Sequence, residues 1–173
     1  MQIEIVTIAC GDGAEDAAIL SAVLALNTAH EEELSPLDSA RLRRLVTQSF
    51  AAFRIGEVEA FLIAFDQAAD YDSPNFIWFR DRYPRFVYID RVAVSQAVRG
   101  RGHARKLYEE LFARARLAGH DQIVCEVNAM PPNPASDAFH HALGFGEVGA
   151  GEIHGGAKTV RYFLRRLGAD EAP

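Results

Sequence analysis

The sequence predicts a mixed α/β domain. Runs rich in β-branched and aromatic residues alternate with amphipathic stretches at helical spacing along 173 residues. The segment from Arg85 to Val127 reads as strand, helix, strand, and a unit of that kind joins two parallel strands by a right-handed crossover. The composition, 49% hydrophobic and 24% charged, is that of an ordinary globular chain, large enough to hold a core without disulfides or metal. One domain is expected over residues 1–167, with a disordered tail over 168–173.

The elements follow in order. "QIEIVTIA" alternates toward a strand. A helix follows over "GDGAEDAAILSAVLALNTAH", with Asp12 as the expected N-cap and Ala18, Ile19, Ala22, Val23 and Leu26 on its apolar face. "SPLDSARLRRLVTQSF" reads as a second helix capped by Ser35 or Asp38. Two apolar runs around Gly56 and Glu57 predict a hairpin. From Asp66 to Pro84 no period is visible, and a long connection is expected there. "RFVYIDRVAVS" is the strongest strand. The next helix carries Leu107, Tyr108, Leu111, Phe112 and Ala115 on its apolar side and ends at Gly119. "DQIVCEVNA" is a buried strand. "NPASDAFHHALGF" is a helix with Asn133 at the cap, Pro134 at the first position and Gly144 after the end. Two strands around a glycine-rich turn close the chain.

Charge and composition exclude several function classes. A net charge of −6 argues against nucleic acid as the main partner, although Arg91, Arg99, Arg101, Arg105 and Lys106 leave a nucleic-acid binder as the weakest alternative. No stretch approaches the ~20 apolar residues of a membrane span. The acidic start makes a poor secretory signal, and the cytoplasm is the expected location. Cys10 and Cys125 lie in no metal-like spacing and read as free thiols, and His30 has no sequence partner for a metal.

The loop "RGRGHA" at the start of a helix is the first candidate for chemistry. The opening turn of a helix carries unpaired N–H groups and a partial positive charge. Glycines let an anion approach them, and arginines add donors. The dinucleotide fingerprint fails because Arg105 stands where a third glycine belongs, and the Gly-Lys-Ser/Thr of the P-loop is absent. The residues alone leave two readings, a phosphate seat or a tight turn with solvated arginines.

Taken as an ordered pair, "VAVSQAVRGRGHARKLYEELFARA" and "NPASDAFHHALGF" resemble the GCN5-related N-acetyltransferase (GNAT) superfamily. Arg99, Gly102 and Ala104 match its R/Q-x-x-G-x-G/A signature. Asn133, Phe139, Leu143, Gly144 and Phe145 match its second signature in order. The resemblance implies a mixed, mostly antiparallel twisted sheet with a central parallel strand pair splayed apart and helices on both faces. It implies acetyl-CoA as acetyl donor. The pantetheine would lie along Val92, Ala93 and Val94, and the pyrophosphate on the amides of Arg99, Gly100, Arg101, Gly102, His103 and Ala104, with Asn133 and Phe139 beside the cofactor. A homodimer is also expected from it.

Acetyl transfer needs a neutral amine, a donor for the developing oxyanion and a proton for the leaving thiolate. The family's oxyanion donor is a main-chain amide, here expected at Val92 or Ala93. Its usual acid is a tyrosine seven residues after the Asn, and this chain has His140 there. An imidazolium could serve, or water could. Asp90 and Glu126 are the candidate bases, each with a solvent-facing position or an ion pair to Arg91 as its alternative. The acceptor site is expected near "NTAHEEELSP" and "DYDSPNFIWFRDRYP", whose aromatics are read as packing in preference to a cation-binding lid. The expected function is acetyl-CoA-dependent transfer to a primary amine of a small molecule or peptide. The alternative is a non-catalytic acyl-CoA sensor.

Overall fold

The computed structural model describes residues 3–168. The chain runs β1 (Ile5–Thr7), α1 (Ala14–Thr28), α2 (Ser39–Gln48), β2 (Ala51–Ile55), β3 (Ala60–Asp66), α3 (Pro74–Arg80), β4 (Val87–Val94), a 3-10 turn at Gln96–Val98, α4 (His103–Leu117), β5 (Gln122–Met130), α5 (Pro134–Ala142), β6 (Gly146–Ile153) and β7 (Lys158–Arg166). The seven strands form one sheet in the order β1-β2-β3-β4-β5-β7-β6. Every neighbouring pair is antiparallel except β4 and β5. Helices cover both faces, as the resemblance implied.

Alternation along the central strands explains the two cores. Phe61, Ile63 and Phe65 of β3 face α1, α2 and α3, where Leu20, Val23, Leu42, Leu45, Phe76 and Phe79 wait. Ala60, Leu62 and Ala64 face α4. A strand buried on both sides reads as a continuous apolar run, which "AFLIAF" is.

β4 alternates in the same way, but its parity changes midway. Tyr88 joins the α1 side and Val87 and Ile89 the α4 side; then Ala93 joins the α1 side and Val92 and Val94 the other. The register jumps correspondingly: Ala64 pairs with Ile89 and Ile63 with Arg91, so Asp90 is one extra residue in β4. A β-bulge does this, and it turns a side chain out of the regular pleat.

Three expectations need correcting. Asp12 is not the N-cap of α1. Gly13 occupies that position without a side-chain bond, and Asp16 reaches back to accept the Gly11 N–H at 2.8 Å. The buried face of α1 is Leu20, Val23 and Asn27, and Ala18 is exposed. The connection 66–84 is not aperiodic loop, because Pro74 starts the seven-residue helix α3. Pro favours a first helical position as readily as it breaks an interior one, and seven residues are too few to show a period. Asp38, of the two candidates, caps α2 through the Arg41 N–H at 2.7 Å. The tail lies, from residue 169 on, outside the described residues. No helix among the described residues is long and apolar enough to cross a membrane.

Candidate active site

The loop before α4 has the geometry an anion needs. Gly100 and Gly102 sit at φ +78° and +83°, backbone that L side chains rarely adopt. Gly102 is the N-cap and gives no side-chain bond to the helix. Lys106 N–H donates to the Gly102 carbonyl, whereas the amides of Gly100, Gly102, His103, Ala104 and Arg105 find no acceptor among the described residues. A Cβ placed on either glycine would meet nothing within 4 Å, so the face above these amides is open. Arg99 and Arg101 pair with no carboxylate among the described residues; Arg99 Nη2 lies 3.2 Å from His30 Nε2. The open, donor-rich corner fits a diphosphate. The His103 ring turns away from it, buried with Nε2 3.3 Å from Glu59 Oε2, which leaves only its amide on that side.

β4 and β5 pair only at Val87–Ile123 and Tyr88–Val124. Beyond these the strands part: β4 stays with β3 and β5 with β7. The main chain of Val92, Ala93 and Val94 therefore has no strand partner on the β5 side. A cavity of about 120 Å³ fills the opening, bordered by Val92, Tyr108, Asn133, Ser136 and His140. A second, of about 280 Å³, lies against Arg41, Tyr71, Asp72, Asn75 and Arg91. Glu33, Leu34, Asp90 and Glu126 line both, so the two carboxylates predicted from sequence stand where the cavities adjoin.

Asp90 is fully engaged. Its Oδ1 accepts the Tyr71 hydroxyl at 2.7 Å and its Oδ2 the Arg91 Nε at 3.1 Å. Arg91 in turn donates through Nη1 to Asn27 Oδ1 at 2.8 Å and to the Ser35 carbonyl at 2.7 Å. This buried network explains why Asn27 lies on the inner face of α1. It also pins the turn that carries Glu33 and Leu34 to the sheet. Burial raises the Asp90 pKa, with Arg91 and Tyr71 opposing the rise. Glu126 is different. Its Oε2 makes no hydrogen bond of normal geometry, and burial together with the nearby Asp90 charge pushes its pKa up to about 8, with the Tyr88 and Asn75 side chains opposing the rise.

His140 is buried at the inner wall of the first cavity. Its Nδ1 lies 2.7 Å from the Ser136 carbonyl, which can only accept, so Nδ1 carries the hydrogen. Nε2 then accepts from the Tyr108 hydroxyl at 2.9 Å. Burial lowers the His140 pKa, favouring this neutral form. The imidazolium expected from sequence is thus disfavoured, and the ring offers no hydrogen to the cavity. Asn133 caps α5 by accepting the Ser136 N–H at 3.2 Å. Phe139 packs edge-on to Tyr108, with ring centroids 5.1 Å apart.

Sequence reading singled out neither Tyr108 nor Ser136, which border the first cavity, whereas Glu33, Leu34 and Asn75 fall within the two segments expected at the acceptor side. Tyr108 fell at an apolar helix position, and its only signal was a hydroxyl that a buried position must satisfy. Of the aromatics in the 66–84 segment, Phe76 and Phe79 are in the core and Trp78 stacks on Tyr162 at 4.1 Å, whereas Tyr71 lines the second cavity and donates to Asp90.

A mixed sheet parted at its one parallel strand pair, with open amides at the helix between those strands, is the architecture of N-acetyltransferases. Residues 26–145 match the model of the acetyltransferase (GNAT) family, and the chain belongs to that family. L-2,4-diaminobutyric acid acetyltransferase of Wolinella succinogenes is 30% identical over 86 residues, which cover 46% of this chain and 50% of that protein. The chain thus spans about half the length of this curated relative. Among solved structures, the NatC complex bound to Gag peptide and CoA matches with a TM-score of 0.73 at 16% identity, over 97% of this chain and 100% of that one. YncA of Salmonella typhimurium, solved with its cofactor acetyl-CoA, matches at 0.66 and 21% identity over 100% and 98%.

Proposed function

We propose that this protein is an acetyl-CoA-dependent N-acetyltransferase that moves the acetyl group directly to a primary amine of a small molecule or peptide. The observation that carries this reading is Glu126, a buried carboxylate whose Oε2 makes no hydrogen bond of normal geometry, standing where the donor-side and acceptor-side cavities adjoin. Acetyl-CoA, when bound, supplies the acetyl group as a thioester. The open amides of Gly100, Gly102, His103, Ala104 and Arg105 would hold the anionic end, with the Arg99 and Arg101 side chains as charged donors. The main chain of Val92, Ala93 and Val94, without a strand partner on the β5 side, would orient the pantetheine arm, and the N–H of Val92 or Ala93 would serve the acetyl oxygen.

On the other side, Glu33 and Asp72 make an acidic entrance suited to a cationic amine, and Glu126 lines the same cavity. Arg41 stands 3.7 Å from Asp72, and Arg91 is taken up by Asp90, so neither cation cancels Glu126. Glu126 Oε2 then accepts the proton the amine must lose. Asp90, held by Tyr71 and Arg91, keeps that environment negative and positions the network. The relative acting on L-2,4-diaminobutyric acid makes small diamines the first acceptors to try. The free thiols of Cys10 and Cys125 support a reducing, cytoplasmic setting, and a homodimer is part of the same reading.

The test is release of free CoA from acetyl-CoA over a panel of small diamines, amino acids and peptides, beside calorimetric binding of CoA. Turnover on an amine with loss in Glu126→Gln supports the reading. CoA binding without turnover on any amine favours the acyl-CoA sensor. Absence of CoA binding overturns both.

A further inference from the structure

We propose that Tyr108 presents the hydrogen to the departing sulfur, and that His140 is a positioning residue that holds the Tyr108 O–H until it is needed. This rests on the acetyltransferase reading above and assigns a residue within the same site. The tyrosine expected on α5 is absent, and a phenol from α4 stands in the cavity instead. The hydroxyl is placed by packing on several sides. The Tyr108 ring meets Phe139 edge-on at 5.1 Å, Phe112 at 6.1 Å and Phe145 at 6.1 Å, and it is 1% exposed.

The direction of its hydrogen follows from α5. The Ser136 carbonyl takes the His140 Nδ1 hydrogen, which leaves Nε2 as a bare acceptor facing the Tyr108 oxygen at 2.9 Å. Tyr108 therefore donates, and a rotation about its C–O bond moves that donation from Nε2 to a sulfur in the cavity. When the thioester C–S bond breaks, its electron pair goes to sulfur, and the Tyr108 O–H stabilises the charge there by hydrogen bonding. The thiolate takes its proton from solvent, so no phenolate forms. That suits a phenol whose burial keeps it protonated well above the ordinary tyrosine range. His140 does not touch the sulfur in this scheme. It fixes the phenol between turnovers and recovers the hydrogen bond afterwards.

The experiment has one arm without turnover and one with it. In the first, the imidazole of His140 is observed by 15N NMR in wild type and Tyr108→Phe at neutral pH. The expected signature is a neutral ring with hydrogen on Nδ1, and an Nε2 resonance that moves in Tyr108→Phe and on addition of CoA to wild type. A ring protonated on Nε2, or an Nε2 resonance indifferent to both changes, overturns the proposal. In the second arm, Tyr108→Phe lowers kcat about 10- to 100-fold with KM for acetyl-CoA within about twofold, since only a hydrogen bond to a charged leaving group is lost. His140→Phe falls similarly, His140→Gln recovers most of the loss because its amide oxygen can accept the phenol, and the double variant Tyr108→Phe/His140→Phe is no slower than either single one. A Tyr108→Phe enzyme within about twofold of wild type, beside a crippled His140→Phe, would make His140 itself the donor. Should wild type turn over no amine, the acetyltransferase reading fails, and the NMR arm still decides the direction of the Tyr108 hydrogen.

Discussion

On the proposed reading, Glu126 is the residue on which the chemistry turns. Its pKa of about 8, against an ordinary 4.5, comes first from burial and then from the Asp90 charge. The carboxylate that accepts an amine proton therefore fills as pH rises through 8. We expect kcat to climb with pH and level off above about 8, and Glu126→Gln to lose about 10²- to 10³-fold together with that climb. A pH profile of both proteins checks it; a wild-type limb centred near the ordinary carboxylate range would sink the assignment. The same shift has a stability cost whose sign is fixed. The folded state keeps a proton that the unfolded chain releases between 4.5 and 8, so stability is fullest below that window and falls as pH rises through it. The loss is up to about 5 kcal/mol by the linkage relation. Denaturant melts should show Glu126→Gln matching wild type near pH 4.5 and exceeding it at pH 9. Equal stability at pH 9 would mean that the carboxylate is better solvated than its burial implies. At this scale the sequence was partly legible: Asp90, Glu126 and His140 do gather at one opening. What it hid was the state of each group, because Asp90 depends on Tyr71, 19 residues away, and His140 on Tyr108, 32 residues away.

Elements supply the geometry these groups use, and two substitutions probe it. Gly102 caps α4 at φ +83° with open space above it. Gly102→Ala adds backbone strain of about 1 kcal/mol and little else. Gly102→Glu adds the same strain and places a carboxylate at the anion seat. Calorimetry should find CoA affinity at least about tenfold lower in Gly102→Glu than in Gly102→Ala, and equal affinities would move the seat elsewhere. On the far edge, a Cβ on Gly149 of β6 would lie 2.5 Å from the Trp78 ring, which is stacked on Tyr162. Gly149→Ala must push that stack apart, and we expect a loss of about 1–3 kcal/mol in denaturant melts. No loss would mean that α3 shifts freely over the sheet. The order of elements was legible because β3, β4, α4 and β5 carry strong periods. α3 escaped because seven residues complete barely two turns. The Asp90 bulge escaped because a single inserted residue flips side-chain parity without altering composition.

Across the whole molecule, charge is sorted by the sheet opening. The net charge is −6, yet the donor loop carries Arg99, Arg101 and Arg105 together. The second cavity sets Glu33, Asp72 and Asp90 against two arginines, each with a carboxylate beside it, while Glu126 adds charge only as pH rises toward 8. An anionic donor would thus be drawn to the arginine loop, and a cationic amine to the acidic entrance, by fields of opposite sign. Screening acts on both attractions, since the Debye length shrinks from about 10 Å at 0.1 M salt to about 3 Å at 1 M. The buried reacting groups are screened far less. Raising salt over that range should increase KM for a cationic amine and Kd for CoA severalfold each, while kcat at saturation changes by less than about twofold. Glu33→Gln, which removes one exposed acceptor-side charge, should flatten the salt dependence for the amine and leave that for CoA as it was. If KM for the amine instead falls with salt, the acidic entrance repels the true acceptor, and a neutral or anionic amine must be sought in its place.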